Sequence, residues 1–104
     1  MREVRAGVDA TDRALMALLD RRFGYMRAAV RIKTDRRAVR DENRKAEVIA
    51  NARADAAARG LPEEELAQIW DRLVEASIAY ELVEWDRRTR VIEPEDKEPL
   101  TSRA

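Results

Sequence analysis

The 104 residues are one domain's worth of chain, and a domain this small buries a modest core unless it oligomerises. Basic and acidic residues stand at 21 each, for a net charge of zero, which removes the broad positive field of a nucleic-acid or anionic-membrane binder, so neither partner is expected. With 40% charged residues, 3 Gly, 3 Pro and no Cys or His, the composition favours long helices over sheets and excludes disulfides, thiolate nucleophiles, imidazole bases and the usual zinc or iron ligand sets.

Chemistry is left to Arg, Lys, carboxylates and hydroxyls. No apolar stretch of signal-peptide type follows Met1-Arg2-Glu3-Val4-Arg5, and the longest apolar run, Ala14 to Leu19, is too short to span a bilayer, so a cytoplasmic location is expected.

From Val4 to about Lys33 the positions Val4, Val8, Thr11, Leu15, Leu18, Arg22, Tyr25 and Ala29 recur in steps of three and four, predicting one long helix with a single inner stripe. Gly7 and Gly24 within it each lower helix propensity by roughly 1 kcal/mol relative to Ala, so packing must hold the stripe. Thr34 to Arg40 reads as a charged loop. Asp41 is placed to cap a second helix, with Glu42 in its first turn and Ala46, Val48, Ile49 and Ala52 along it.

Arg59-Gly60 suits the end of that helix. Pro62 opens a third, whose Glu63, Glu64 and Glu65 sit at the positive end of its dipole. Leu66, Ile69, Trp70, Leu73, Ser77 and Tyr80 carry the inner face on to about Arg90. Residues 1–92 are therefore assigned to an all-α, three-helix domain. Residues 93–104, with charge and proline but no apolar face, are expected to form a disordered tail.

A first helix of about thirty residues spans roughly 45 Å, longer than a compact monomer of this size. Two chains wrapping their long helices together would cover both stripes and give an intertwined six-helix homodimer. A bent first helix in a three-helix monomer is the alternative.

Several charges fall on the wrong face. Arg22 and Lys33, eleven residues apart, share an azimuth on the first helix, and Ser77 and Glu81, four apart, lie on or beside the inner face of the third. Arg44 brings another cation to the start of the second. Buried charges are costly unless paired or liganded. Two explanations stand open. In one, Arg22 or Arg44 pairs with Glu81 in a core salt bridge and Lys33 complements the negative end of its helix. In the other, these groups form a pocket for a small organic dianion, its carboxylates held by Arg forks. Arg5 lies about 100 degrees around the helix from Arg22 and would reach a partner's pocket more easily than its own. Arg36, Arg37, Arg53, Arg59, Arg87 and Arg88 are read as solvated surface charges.

The pattern Val4-Arg5, Asp12, Leu15 to Leu19, Arg21-Arg22 and Lys33, then Val39-Arg40-Asp41 with Arg44, then Ser77 and Glu81, resembles the all-helical, type II chorismate mutase family over about residues 3 to 90. The resemblance implies an isomerase, rearranging chorismate to prephenate at two equivalent sites of an intertwined homodimer. Arg5 of one chain and Arg22 of the other would hold the substrate carboxylates. Lys33 would donate to the ether oxygen of the breaking bond, Arg44 would clamp the enolpyruvyl side, and Asp41 and Ser77 would line the pocket. No cofactor and no metal are implied, since a pericyclic reaction needs neither a nucleophile nor a proton shuttle; holding a near-attack conformer and stabilising the developing charge suffice.

Two positions depart from the common bacterial pattern. Lys45 stands where that pattern has a Glu accepting the substrate's ring hydroxyl. Glu81 stands where Gln is usual and must be protonated to donate to the ether oxygen, a state that burial favours. Related eukaryotic mutases look similar in using Glu there.

The stretch Glu84-Trp85-Asp86-Arg87-Arg88-Thr89-Arg90 resembles isochorismate-pyruvate lyase, a same-fold relative that also lacks the Glu replaced by Lys45, so a lyase acting on isochorismate is the second reading. A mutase of 4-amino-4-deoxychorismate is a third. A non-catalytic helical interaction module, its inner charges setting register, is the fourth.

Overall fold

A computed structural model describes the chain with its side chains through Arg90, and the tail expected at 93–104 lies outside the residues so described. The architecture is α1 (Arg2–Ile32), α2 (Glu42–Ala58) and α3 (Glu63–Arg103), with no strand among the described residues. The all-α, three-helix chain expected from composition and periodicity is what forms. No helix among the described residues is long and apolar enough to cross a membrane.

The local signals act where they stand. The Asp41 carboxylate accepts from the Arg44 backbone N–H at 3.0 Å, satisfying one of the orphan donors of α2. Gly60 takes φ of +68°, the left-handed conformation that closes a helix C-terminus and that a side chain would strain. Lys33 caps α1, its backbone N–H donating to the Ala29 carbonyl at 2.9 Å.

The connection between α1 and α2 differs from the plain charged loop expected at Thr34 to Arg40. Residues Arg36–Val39 form a 3₁₀ turn, capped by the Asp35 carboxylate accepting from the Arg37 backbone N–H at 2.8 Å. The turn drives Val39 into the core, where it meets Val74 and Ile78 of α3, with Val48 and Leu82 packed alongside.

α3 is the central element. α2 packs along it, and the second half of α1 crosses it, with Phe23 edge-on to Tyr80 at 5.0 Å between ring centroids. Residues 1–18 are all exposed, and the stripe residues Val4, Val8, Leu15 and Leu18 are 51–60% exposed within the single chain. α1 continues as one helix through Gly7 and Gly24. On α3 the buried side is Ala67, Val74, Ser77, Ile78 and Glu81; Ile69, expected inside, is exposed.

Candidate active site

A cavity of about 300 Å³ opens where the second half of α1, the start of α2 and the middle of α3 converge. Seven of the eight residues singled out from the sequence line it: Arg22, Lys33, Asp41, Arg44, Lys45, Ser77 and Glu81. Apolar side chains complete the wall: Val39 and Val48, together with Met26, Val74 and Ile78, which sequence reasoning did not name. Helical spacing explains the convergence: Arg22, Met26, Ala29 and Lys33 descend one face of α1, and Val74, Ser77, Ile78 and Glu81 one face of α3.

The polar groups are organised before any ligand arrives. Arg22 Nη1 donates to Ser77 Oγ at 2.6 Å, and Ser77 Oγ in turn donates to the Leu73 carbonyl at 2.8 Å. Burial lowers the pKa of the Arg22 guanidinium, repulsion from Arg44 lowers it further, and attraction to Glu81 partly offsets both. At the other end of the cavity Lys33 Nζ donates to Glu81 Oε1 at 2.9 Å. Lys33 is thus both the cap of α1, where its charge suits the helix dipole, and the partner of a buried carboxylate.

The core salt bridge from Arg22 or Arg44 to Glu81, one of the two explanations left open, does not form. Arg22 bonds Ser77, and Arg44 pairs with Glu47 one turn along while lining the cavity. Among the described residues no buried side-chain nitrogen or oxygen lacks a hydrogen-bond partner. Two arginines, two lysines and two carboxyls therefore face one small space, without a thiol or imidazole, and its cations can grip a dianion by charge-assisted hydrogen bonds.

A second cavity, of about 380 Å³, shares Arg22, Arg44 and Val48 with the first and continues past Asn51, Arg59, Leu66 and Trp70. Arg59, read as a solvated surface charge, lines this neighbouring space. Four others of that group pair with carboxylates: Arg36 with Asp86, Arg37 with Asp35, Arg53 with Glu64 and Arg87 with Glu84.

Compared with known families, residues 4–82 match the model described as chorismate mutase type II. The chain belongs to the type II chorismate mutase family. No curated protein and no solved structure matches it. The matched span runs from Val4 through Leu82 and so contains all seven cavity residues and Arg5, whereas the stretch Glu84 to Arg90 lies beyond it.

Within this chorismate mutase-type domain, Arg5 stands apart. It lies seventeen residues before Arg22, about 25 Å along α1, in the exposed half of the helix. The chain does not bring it to its own cavity. Lys45 lines the cavity, but its ammonium is already engaged by Glu75 at 2.6 Å and Asp71 at 3.2 Å. Neither acid was singled out from the sequence. Their spacing of four, which puts them on one face of α3 opposite the start of α2, was the available signal.

Proposed function

We propose that this member of the family is a chorismate mutase, converting chorismate to prephenate by Claisen rearrangement without a cofactor. The observation that supports this reading best is the cavity in which Arg22, Arg44, Lys33 and Glu81 converge with no thiol or imidazole among them. Such a site offers what a pericyclic reaction uses: fixed cations to fold an extended dianion into its reactive conformer, and donors for the oxygen on which charge develops.

In this mechanism Arg22 and Arg44 hold the substrate carboxylates, and Asp41 and Ser77 fix the position of those arginines. Lys33 swings from Glu81 to the ether oxygen as the carbon–oxygen bond stretches. Glu81 holds that ammonium at 2.9 Å at the end of the cavity until the substrate takes it over.

The assembly proposed is an intertwined homodimer in which Arg5 of one chain completes the partner's site. Support comes from the uncovered stripe on α1: its four aliphatic side chains, half-exposed, would each contribute on the order of 1 kcal/mol when buried against a second copy. Shared sites have a distinctive signature. Arg5→Ala and Arg22→Ala homodimers are each expected to be nearly inactive. Mixing them after unfolding and refolding should restore about a quarter of wild-type activity, because half the dimers are hybrids and each hybrid has one intact site. No recovery would remove Arg5 from the site.

The experiment that tests the function is turnover of chorismate and isochorismate, side by side, by purified protein and by Arg22→Ala. Prephenate formed from chorismate in an Arg22-dependent way is the expected result. Pyruvate and salicylate from isochorismate would move the assignment to the lyase, whose motif resemblance ends the described part of α3. Turnover of neither would leave a helical interaction module.

A further inference from the structure

Asp41, Arg44 and Lys45 all reach the cavity from the start of α2, yet that first turn has no buried apolar side chain of its own. What ties it to α3 is polar. Arg40 Nη2 and Nη1 donate to Glu75 Oε1 and Oε2 at 2.7 and 3.0 Å. Lys45 Nζ donates to the same Oε2 at 2.6 Å and reaches Asp71 at 3.2 Å. One carboxylate therefore grips both ends of the stretch from Arg40 to Lys45. Between the two grips lie the Asp41 cap and Arg44.

Glu75 does not line the cavity. It sits two residues before Ser77, about 200 degrees around α3, and works from outside the site. The hydrogen bonds from Arg40 and then from Lys45 hold its carboxyl down to about 2, and Glu75 and then Asp71 raise the pKa of the Lys45 ammonium. A carboxyl depressed in the fold gives its stabilisation above its ordinary value and loses it only as pH falls towards about 2, so the clamp is fully charged at neutral pH.

Each ion pair alone, partly open to water, adds little to stability. A two-pronged arginine fork and a lysine on one carboxylate do, however, fix direction as well as distance.

We infer that Glu75 is a positioning residue: by tethering Arg40 and Lys45 to α3 it sets where Arg44 stands over the cavity and how far Lys45 can reach into it. With two of its three N–H groups engaged, Lys45 meets the cavity as a tethered donor suited to a hydroxyl oxygen, in place of a free cation competing for the substrate carboxylates. The inference rests on the reading of the cavity as a chorismate site.

The test compares Glu75→Ala, Glu75→Gln, Arg44→Ala and the double variant Glu75→Ala/Arg44→Ala. Because a misplacement of about 1 Å costs up to about a hundredfold, Glu75→Ala is expected to raise KM for chorismate roughly tenfold while kcat changes less than about threefold. Glu75→Gln, which keeps an acceptor oxygen for Arg40, should recover part of that loss. In the Arg44→Ala background the effect of Glu75→Ala should shrink to the part that Glu75 exerts through Lys45, less than about threefold in KM. A residue that only stabilises the fold would lower Tm and leave the two effects additive; additivity, or an unchanged KM, overturns the inference.

A second readout is independent of turnover. The backbone N–H groups of Arg44 and Lys45 are bonded to the Asp41 side chain and carbonyl, so in Glu75→Ala their hydrogen exchange should quicken roughly tenfold while the amides of Ala52 to Ala56 keep their rates. Unchanged exchange at Arg44 and Lys45 overturns the tether whether or not chorismate is turned over. Absence of wild-type turnover counts against the proposed function alone.

Discussion

Arg22→Ala is expected to lower kcat/KM for chorismate by roughly 10²- to 10³-fold, since losing a desolvated charge pair costs about 2–5 kcal/mol and each 1.36 kcal/mol is tenfold. The guanidinium is half-buried between the two cavities and is aimed by its bond to Ser77. Nothing else on α1 places a fork there. Arg22→Lys keeps the charge but loses the planar pair of donors, and is expected to recover no more than about one order of magnitude of the loss. The fold should survive both changes, because Ser77 keeps its bond to the Leu73 carbonyl. Steady-state kinetics with a thermal melt on the same samples checks this; retention of activity within about fivefold at unchanged Tm would take Arg22 out of the site.

Lys33→Met is the other large change, and it acts on two quantities at once. It removes the donor to the ether oxygen, for which a loss in kcat of about 10²–10³ is expected by comparison with removing one donor from an oxyanion site. It also strands the Glu81 carboxylate, which is buried and has Lys33 as its ion-pair partner. Breaking a fully buried pair from one side costs about 3–5 kcal/mol; the Lys33 side chain is 26% exposed, so about 1–3 kcal/mol is expected after solvent screening. The two effects separate in the double variant Lys33→Met/Glu81→Gln, whose neutral amide removes the stranded charge. Chemical denaturation should show stability returning while kcat stays low. If activity returned with stability, Lys33 would be a structural cation only.

How far these arguments were legible in the sequence varied with the range of the interaction. Asp41, Gly60 and Pro62 act on their own backbone, so the bounds of α2 and the start of α3 followed from local chemistry. Azimuth was legible too: Arg22 and Lys33 on one helix, Ser77 and Glu81 on another, do face a common space.

Partnership was harder to read. Long flexible side chains choose by reach as well as by direction, so Glu81 takes Lys33 and not an arginine, and Lys45 is drawn to Glu75 and Asp71. Val39 escaped because a single 3₁₀ turn among charged residues has no period to betray its buried member. On α1 the stripe told which side chains share a face and not what covers them. Tyr25, on the stripe, is exposed, while Phe23, two residues before it, packs on Tyr80.

Ser77 gives the site a direction. A hydroxyl owns one hydrogen, and here it is committed to the Leu73 carbonyl, leaving only lone pairs turned towards the cavity. At that end the wall can accept from a guanidinium but has no proton to offer a passing carboxylate. An anion entering the cavity would find its hydrogen-bond donors on α1, on Lys33 just after it and on α2, while α3 presents only acceptors at Ser77 and Glu81.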